Sequence, residues 1–200
     1  MQMRFFSRAF LILLVFSFAS SVSFAGEPTE EIKRITEKII DIITDPSLQG
    51  DEKKEEKVMR IRNSVDERFD GEEMAKRTLA RHWSKRKDHE KKEFTELFEK
   101  FLEKTYLDRV LSYSGEKISY GSENVDDDYA SVDVKILSKD KVEIPLIYKL
   151  KKKGTNWHVY DISIEGVSLI NNYRTQFNSI IMRKSYEKLV EMLREKVEKG

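Results

Sequence analysis

The spacing of the apolar residues changes twice along this chain of 200 residues, and these changes limit the folds that it can adopt. Before about residue 114 the apolar residues recur at steps of three and four, which is typical of amphipathic helices. Between residues 114 and 166 they alternate with polar residues, as in strands with one buried face. The helical spacing then returns. The order predicts an α+β fold with a helical part at 29–113, a sheet at 114–166 and C-terminal helices at 167–198.

Four helices are predicted ahead of the sheet. The first is expected to have Thr29 as its N-cap and to end at Asp45–Pro46, and a second, highly charged helix follows it. The third is expected to run from its N-cap Asp70 past Trp83. A long fourth helix is predicted to begin at Asp88, with a bulky aromatic face.

Four strands are predicted in the middle of the chain, joined by short polar connections. Such connections favour a twisted antiparallel four-stranded meander. With helices over one face, this sheet would form a cup able to hold an apolar ligand. The apolar residues that alternate are Ile118 and Tyr120, then Ala130, Val132, Val134 and Ile136, then Val142, Ile144, Leu146 and Tyr148, then Tyr160, Ile162 and Ile164.

The first 25 residues are predicted to be a cleavable secretory signal. Arg4 and Arg8 precede an apolar run at 9–19, and Ser23–Phe24–Ala25 has the small residues that a signal peptidase requires. Residues 26–200 are expected to form a single mature domain. The sequence contains no cysteine, which excludes disulfides and thiolate metal sites.

The charge of the mature chain argues against a nucleic-acid partner. The full sequence has 37 basic and 36 acidic residues, and removal of the two signal arginines leaves 35 − 36 = −1. Nucleic-acid binding requires clustered Lys and Arg, whereas here both signs are mixed along the helices.

No catalytic or metal site is predicted. Asp133, His158 and Asp161 are the candidates for acid–base chemistry, but strict alternation along a strand would place His158 and Asp161 on opposite faces. His82 and His89 lack the spacing of a zinc site. Nucleophile-elbow, phosphate-loop and calcium-loop motifs are also missing from the sequence.

Four segments of the chain resemble a known family. They are the strand-to-helix stretch at 160–177, the segment at 69–75 with Trp83, the stretch Pro145–Tyr148, and Trp157–Tyr160. Together they resemble the MlaC family of periplasmic phospholipid-binding proteins, also called toluene-tolerance auxiliary components of an ABC transporter. The resemblance covers nearly all of residues 29–198.

The resemblance implies an NTF2-like cup with a helical subdomain and a deep apolar cavity. It implies no cofactor other than bound phospholipid, which is the cargo. The expected partners are an outer-membrane lipoprotein complex and an inner-membrane ABC transporter complex with a ring-forming lipid-binding subunit. The residues predicted to line the cavity are Leu79, Trp83, Phe94, Phe98, Tyr106, Val132, Val134, Ile144, Leu146, Tyr148, Ile162, Ile164, Val167, Leu169, Tyr173 and Phe177.

On the residues alone, these apolar stripes are more typical of an ordinary core than of a ligand cavity. An extracytoplasmic adaptor or holdase without lipid cargo therefore remains the alternative. Gly166 is expected to supply a backbone conformation that a side chain would forbid. Arg174 is expected to have a surface or partner role rather than to contact a phosphate.

Overall fold

The structure, a computed structural model, describes residues 27–199, and the predicted signal peptide lies outside them. The described part has an α+β fold, as predicted, with six α-helices and one five-stranded antiparallel sheet. Short 3-10 turns lie at Pro46–Leu48, Asp51–Lys53 and Ala80–Lys85. The helices are α1 Glu27–Thr44, α2 Lys54–Asp66, α3 Gly71–Leu79, α4 Asp88–Leu111, α5 Leu169–Arg183 and α6 Tyr186–Lys199. The strands are β1 Lys117–Asp126, β2 Tyr129–Leu137, β3 Glu143–Lys153, β4 Asn156–Ile164 and β5 Val167–Ser168.

The sheet has five strands rather than the predicted four. Its order is β1-β2-β3-β4-β5, so each strand pairs with the next along the chain. The additional strand forms because Glu165 and Gly166 both have positive φ, 51° and 82°, in a two-residue turn of the primed type. The turn folds Val167 back beside Ile164. A two-residue strand is too short to show a period in the sequence.

One face of the sheet, the inner face, is apolar. The register pairs Val134 with Leu146, Ala130 with Leu150, and Ile136 with Ile144. Because cross-strand partners project to the same side, these residues form one continuous surface. Four of them are almost fully enclosed, and so is Val132 on the same face; these five residues are Ala130, Val132, Val134, Leu146 and Leu150.

A β-bulge interrupts the alternation in β4. Lys149 pairs with Asp161 while the next residue, Leu150, pairs with Val159, so Tyr160 is the extra residue. Val159 and Ile162 therefore both belong to the inner face, and Tyr160 packs against the helices instead. The prediction that Tyr160 shares a face with Ile162 and Ile164 is wrong, since alternation breaks at a bulge.

The helices α3 to α6 build a second, aromatic core. The ring of Phe98 lies 5.8 Å from those of both Tyr173 and Phe177 in edge-to-face contacts, and Phe94 stacks beside it at 5.9 Å. Such pairs stabilise beyond the area that they bury. This helical core includes Met74, Ala75, Leu79, Trp83, Phe94, Phe98, Phe101, Ile170, Tyr173, Phe177, Tyr186, Leu189, Val190 and Leu193.

Two predicted helix boundaries need correction. α1 begins at Glu27, so Thr29 lies in its first turn and is not the N-cap. Its hydroxyl and backbone N–H instead donate to Glu123 Oε2 at 2.6 and 2.8 Å. α3 ends at Leu79, and Trp83 lies on the following 3-10 turn, because Ala80 has a positive φ of 46° that an α-helix cannot continue. Asp70 caps α3 as predicted, accepting from Glu73 N.

Candidate functional site

An apolar surface that is only partly covered lies on the inner face of the sheet. Beside the enclosed residues of that face are seven half-buried ones, which we call the inner groove: Ile118, Tyr120, Ile136, Ile144, Tyr148, Ile162 and Ile164. Within residues 27–199, the only buried helical residue that joins this cluster is Ile32 of α1, and Phe69 joins it from the α2–α3 connection. The sheet thus has an apolar face that the helices cover only in part.

Helix α1 lies against the groove through one stripe. The stripe consists of Thr29, Ile32 and Thr36, which are three and four residues apart. Thr29 bonds Glu123, and Ile32 packs in the inner-face cluster. Thr36 contacts the Tyr120 hydroxyl. Burial raises the pKa of the Tyr120 hydroxyl, and the Thr36 side chain opposes that shift. The groove therefore has a sheet for its floor and α1 for one wall.

Tyr148 lies at the centre of the inner groove. It belongs to the central strand β3 and pairs with Val132 on one side and Ile162 on the other. Burial raises the pKa of Tyr148 to about 12, with a further contribution from the nearby Tyr120. An apolar environment of this kind disfavours the charged phenolate.

The predicted lining residues fall into three groups. The inner face contains Val132, Val134, Ile144, Leu146, Tyr148, Ile162 and Ile164. The helical core contains Leu79, Trp83, Phe94, Phe98, Tyr173 and Phe177. The remaining three are Tyr106, Val167 and Leu169.

The structure does not bring the first two groups together. Phe69 is the residue that packs against both clusters, and the rings of the helical core fill the space among themselves. For the helical group, a cavity-lining role stays a prediction. The close aromatic contacts give these residues a structural role of their own.

The last three predicted residues lie apart from one another. Half-buried Tyr106 places its hydroxyl 3.4 Å from that of Tyr173, in the helical part. Leu169 is half-buried at the start of α5. Val167 is 57% exposed. Its pairing with Ile164 places it on the same side of the sheet as the inner groove, in the last strand, β5.

Three residues of the inner groove were missing from the predicted site, namely Ile118, Tyr120 and Ile136. Their alternation was visible in the sequence, and the register pairs Ile118 with Ile136 and Tyr120 with Val134. The signal that could have found them is this cross-strand pairing with residues that were already predicted.

The opposite, outer face of β3 carries a row of lysines, each paired with an acid. Lys149 lies 3.4 Å from Asp161, Lys151 3.4 Å from Glu73, and Lys153 2.7 Å from Asp70. The two acids Asp70 and Glu73 belong to the start of α3, so the row fastens that helix to the sheet. These lysines face away from the inner groove.

The prediction that His158 and Asp161 lie on opposite faces assumed strict alternation, which the bulge at Tyr160 interrupts. Asp161 has structural partners. Its oxygens accept from Ser168 Oγ at 2.7 Å and from Ile170 N at 3.1 Å. Together with Lys149 these donors satisfy a carboxylate that is only 4% exposed. Asp161 thus holds the start of α5 on the sheet.

No group of three or more potential ligands among residues 27–199 is arranged to hold a metal ion. Of the predicted histidines, buried His82 has its Nε2 3.0 Å from Asn178 Oδ1. Arg174 donates from Nε to the carbonyl of Arg77 at 2.8 Å, so it ties α5 to α3. That contact gives Arg174 a structural role in addition to any role at the surface.

Two shallow pockets lie outside the inner groove. One, of about 450 Å³, is lined by charged residues of α3 and α4 with Trp83, and the other, of about 350 Å³, lies along α2. The described residues 27–199 include no helix that is long and apolar enough to cross a membrane.

Comparisons with known proteins agree with this fold and with the resemblance. The chain is 23% identical to a phospholipid-binding protein from Ralstonia solanacearum, solved in complex with a phospholipid. The TM-score is 0.78, and the match covers 87% of this chain and 98% of the other. No curated protein sequence matches significantly. The sequence profile of the family described as MlaC protein matches residues 33–195, and the chain therefore belongs to the MlaC family.

Proposed function

We propose that the protein is a soluble periplasmic phospholipid carrier, secreted by its signal peptide, and that residues 26–200 form a single lipid-binding domain. It would move lipid between an outer-membrane lipoprotein complex and an inner-membrane ABC transporter complex with a ring-forming lipid-binding subunit. Such transport maintains the lipid asymmetry of the outer membrane. The sheet and α1 would form an NTF2-like cup, with the tails between them.

The observation that carries this proposal is the half-buried inner groove. Seven apolar or aromatic residues lie side by side on one face of the sheet, and Ile32 is the main helical residue packed against them. Soluble proteins rarely leave a contiguous apolar surface partly uncovered unless it binds something. Family membership and the phospholipid bound to the Ralstonia solanacearum protein favour lipid as that ligand.

The energetics of lipid release require a docked transfer. Two acyl tails contain roughly thirty methylenes, whose exposure to water costs about 25 kcal/mol at about 0.8 kcal/mol each. Escape into water would therefore be far too slow for a carrier. In a docked complex the tails would move between two apolar surfaces, so the net free-energy change is small.

The decisive experiment is mass spectrometry of an organic extract of the mature protein. The full chain is secreted into a bacterial periplasm and purified without detergent. We expect phospholipid in near-stoichiometric amount, and the delipidated protein should take up lipid from vesicles. A folded protein that fails in both assays would contradict the proposal and favour the adaptor or holdase.

A further inference from the structure

The Tyr148 hydroxyl is a polar group in an otherwise apolar place. Its residue lies on the central strand, between Val132 and Ile162, and Leu146 and Leu150 flank it along β3 on the same face. All four neighbours are aliphatic, and Val132 and Leu150 are fully enclosed. The ring therefore points into the inner groove and carries its hydroxyl away from the sheet.

No protein group within residues 27–199 hydrogen-bonds this hydroxyl. Other enclosed tyrosines have partners, since the Tyr173 hydroxyl meets that of Tyr106 and the Tyr186 hydroxyl donates to the Glu90 carbonyl. The hydroxyl of half-buried Tyr148 keeps some exposure to solvent. Acyl tails that fill the groove would remove that exposure, and a buried hydroxyl without a partner is costly, whereas phenylalanine would fill the same space without that cost. A ligand that offers a hydrogen-bond acceptor at this depth would remove the penalty.

The acceptor has to be neutral. A phosphate at the centre of the groove would be desolvated without a counter-charge, because three of the four lysines of β3 lie on the outer face and pair with Asp161, Glu73 and Asp70. The fourth, Lys152, is four residues along the strand from Tyr148 and lies over the ring of Trp157. An ester carbonyl is a neutral acceptor, and in a glycerophospholipid it lies directly where the tails begin.

We propose that the Tyr148 hydroxyl donates a hydrogen bond to an acyl-ester carbonyl of the bound lipid. This inference rests on the proposed function and adds a specificity to it. The groove distinguishes acyl-ester lipids from lipids whose tails are joined through ethers, because an ether lipid has the same shape but lacks the carbonyl. Tyr148 also fixes the depth at which the glycerol backbone lies.

The test is a competition between two lipids. Delipidated mature protein is incubated with vesicles containing equal amounts of diester and diether phosphatidylcholine with the same chain length, and bound lipid is extracted for mass spectrometry. We expect the wild type to be enriched in the diester lipid by about threefold to tenfold, the range for one hydrogen bond. Tyr148→Phe should take up both lipids equally.

Tyr160→Phe is the matched control, because Tyr160 lies in the same sheet but packs against the helical core. It should keep the diester preference. If the wild type binds both lipids equally, or Tyr148→Phe keeps the preference, the inference is overturned while the carrier function stands. If the wild type takes up neither lipid, the proposed function itself fails. The wild-type comparison does not depend on the folding of any variant.

Discussion

Two isoleucines on β3 lie on opposite faces of the sheet and allow the faces to be compared. Ile144 is half-buried in the inner groove opposite Ile136, whereas Ile147 is 37% exposed on the outer face opposite Asp133. They lie three residues apart in the same strand. A polar side chain at each position therefore tests the groove with the strand context held nearly constant.

We expect Ile144→Asn to lower the lipid loading of the purified protein by about fivefold to thirtyfold, because an unsatisfied amide against acyl tails costs about 1–2 kcal/mol. Ile147→Asn should load normally. Lipid phosphorus per chain measures both. Equal loading of the two variants would exclude the inner groove as the tail site. The fully enclosed Val134 is less suitable, because a polar residue there would also destabilise the fold.

The turn between β4 and β5 depends on one glycine. Gly166 has a φ of 82°, and a Cβ added there would meet no atom within 4 Å, so backbone conformation rather than space requires the glycine. This confirms the role expected from the sequence. Gly166→Ala should lower the free energy of unfolding by about 1 kcal/mol.

The neighbouring residue supplies the opposite control. Glu165 also has positive φ, 51°, although it is not glycine. Glu165→Gly should therefore be neutral or slightly stabilising when the unfolding free energies of both variants are measured by urea titration. Destabilisation by Glu165→Gly as large as that by Gly166→Ala would contradict the turn argument.

At the scale of elements, α1 is held on the sheet by a contact between two residues that are far apart in the sequence. The Thr29 hydroxyl and backbone N–H both reach Glu123 of β1. Thr29→Val removes one of the two hydrogen bonds and keeps the side-chain shape. We expect hydrogen exchange in the first turns of α1 to become severalfold faster, as measured by mass spectrometry.

Thr44→Val is the control for this prediction. Its hydroxyl bonds the Ile40 carbonyl within α1, and its side chain is exposed at the end of that helix. Exchange in the first turns of α1 should be unchanged in that variant. Unaltered exchange in Thr29→Val would mean that the hydroxyl bond to Glu123 does not help to hold the helix on the sheet.

Asp161 connects the sheet to α5, and its removal should be costly. Asp161→Ala leaves the Ser168 hydroxyl, the Ile170 N–H and the Lys149 ammonium without their acceptor. We expect a loss of about 2–4 kcal/mol in unfolding free energy. Asp161→Asn keeps one oxygen acceptor and should lose less. Equal losses in the two variants would argue against the hydrogen bonds as the cause.

For the whole molecule, buried tyrosines should make the free energy of unfolding decrease at alkaline pH. Burial raises the pKa of Tyr148 to about 12 and that of Tyr186 to about 12, from 10 when exposed. The folded state thus holds these protons more tightly than the unfolded state. Their contribution is fully present below pH 10 and is lost as the pH rises toward 12, by the order of 2–3 kcal/mol for each residue.

Denaturant titrations between pH 9 and 12 should therefore show falling stability above about pH 10. Phenolate absorbance should rise in two steps, with the enclosed tyrosines ionising only as the protein unfolds. Tyr148→Phe should weaken the pH dependence, whereas Lys139→Met, in the exposed β2–β3 turn, should not. A single absorbance step near pH 10 in the folded protein would contradict the burial argument.

The sequence alone determined what local chemistry controls. The order of the helices and the four long strands follows from the apolar spacing, the cap at Asp70 from its side chain, and the glycine-dependent backbone at 166 from the missing side chain, because each depends on residues close along the chain. The segments that resemble the MlaC family also lie within local stretches, and the family match agrees with them.

Only the tertiary structure decided which apolar residues share a space. Phe94 and Val134 each belong to a periodic pattern that predicts a buried side chain. Phe94 packs among the aromatic rings of the helical core, whereas Val134 lies on the inner face of the sheet. The periodic pattern predicts that a side chain is buried. It does not predict which residues surround that side chain, because these come from distant parts of the chain. The bulge at Tyr160 and the contact between Thr29 and Glu123 were hidden for the same reason: strand register and helix docking are set by long-range packing.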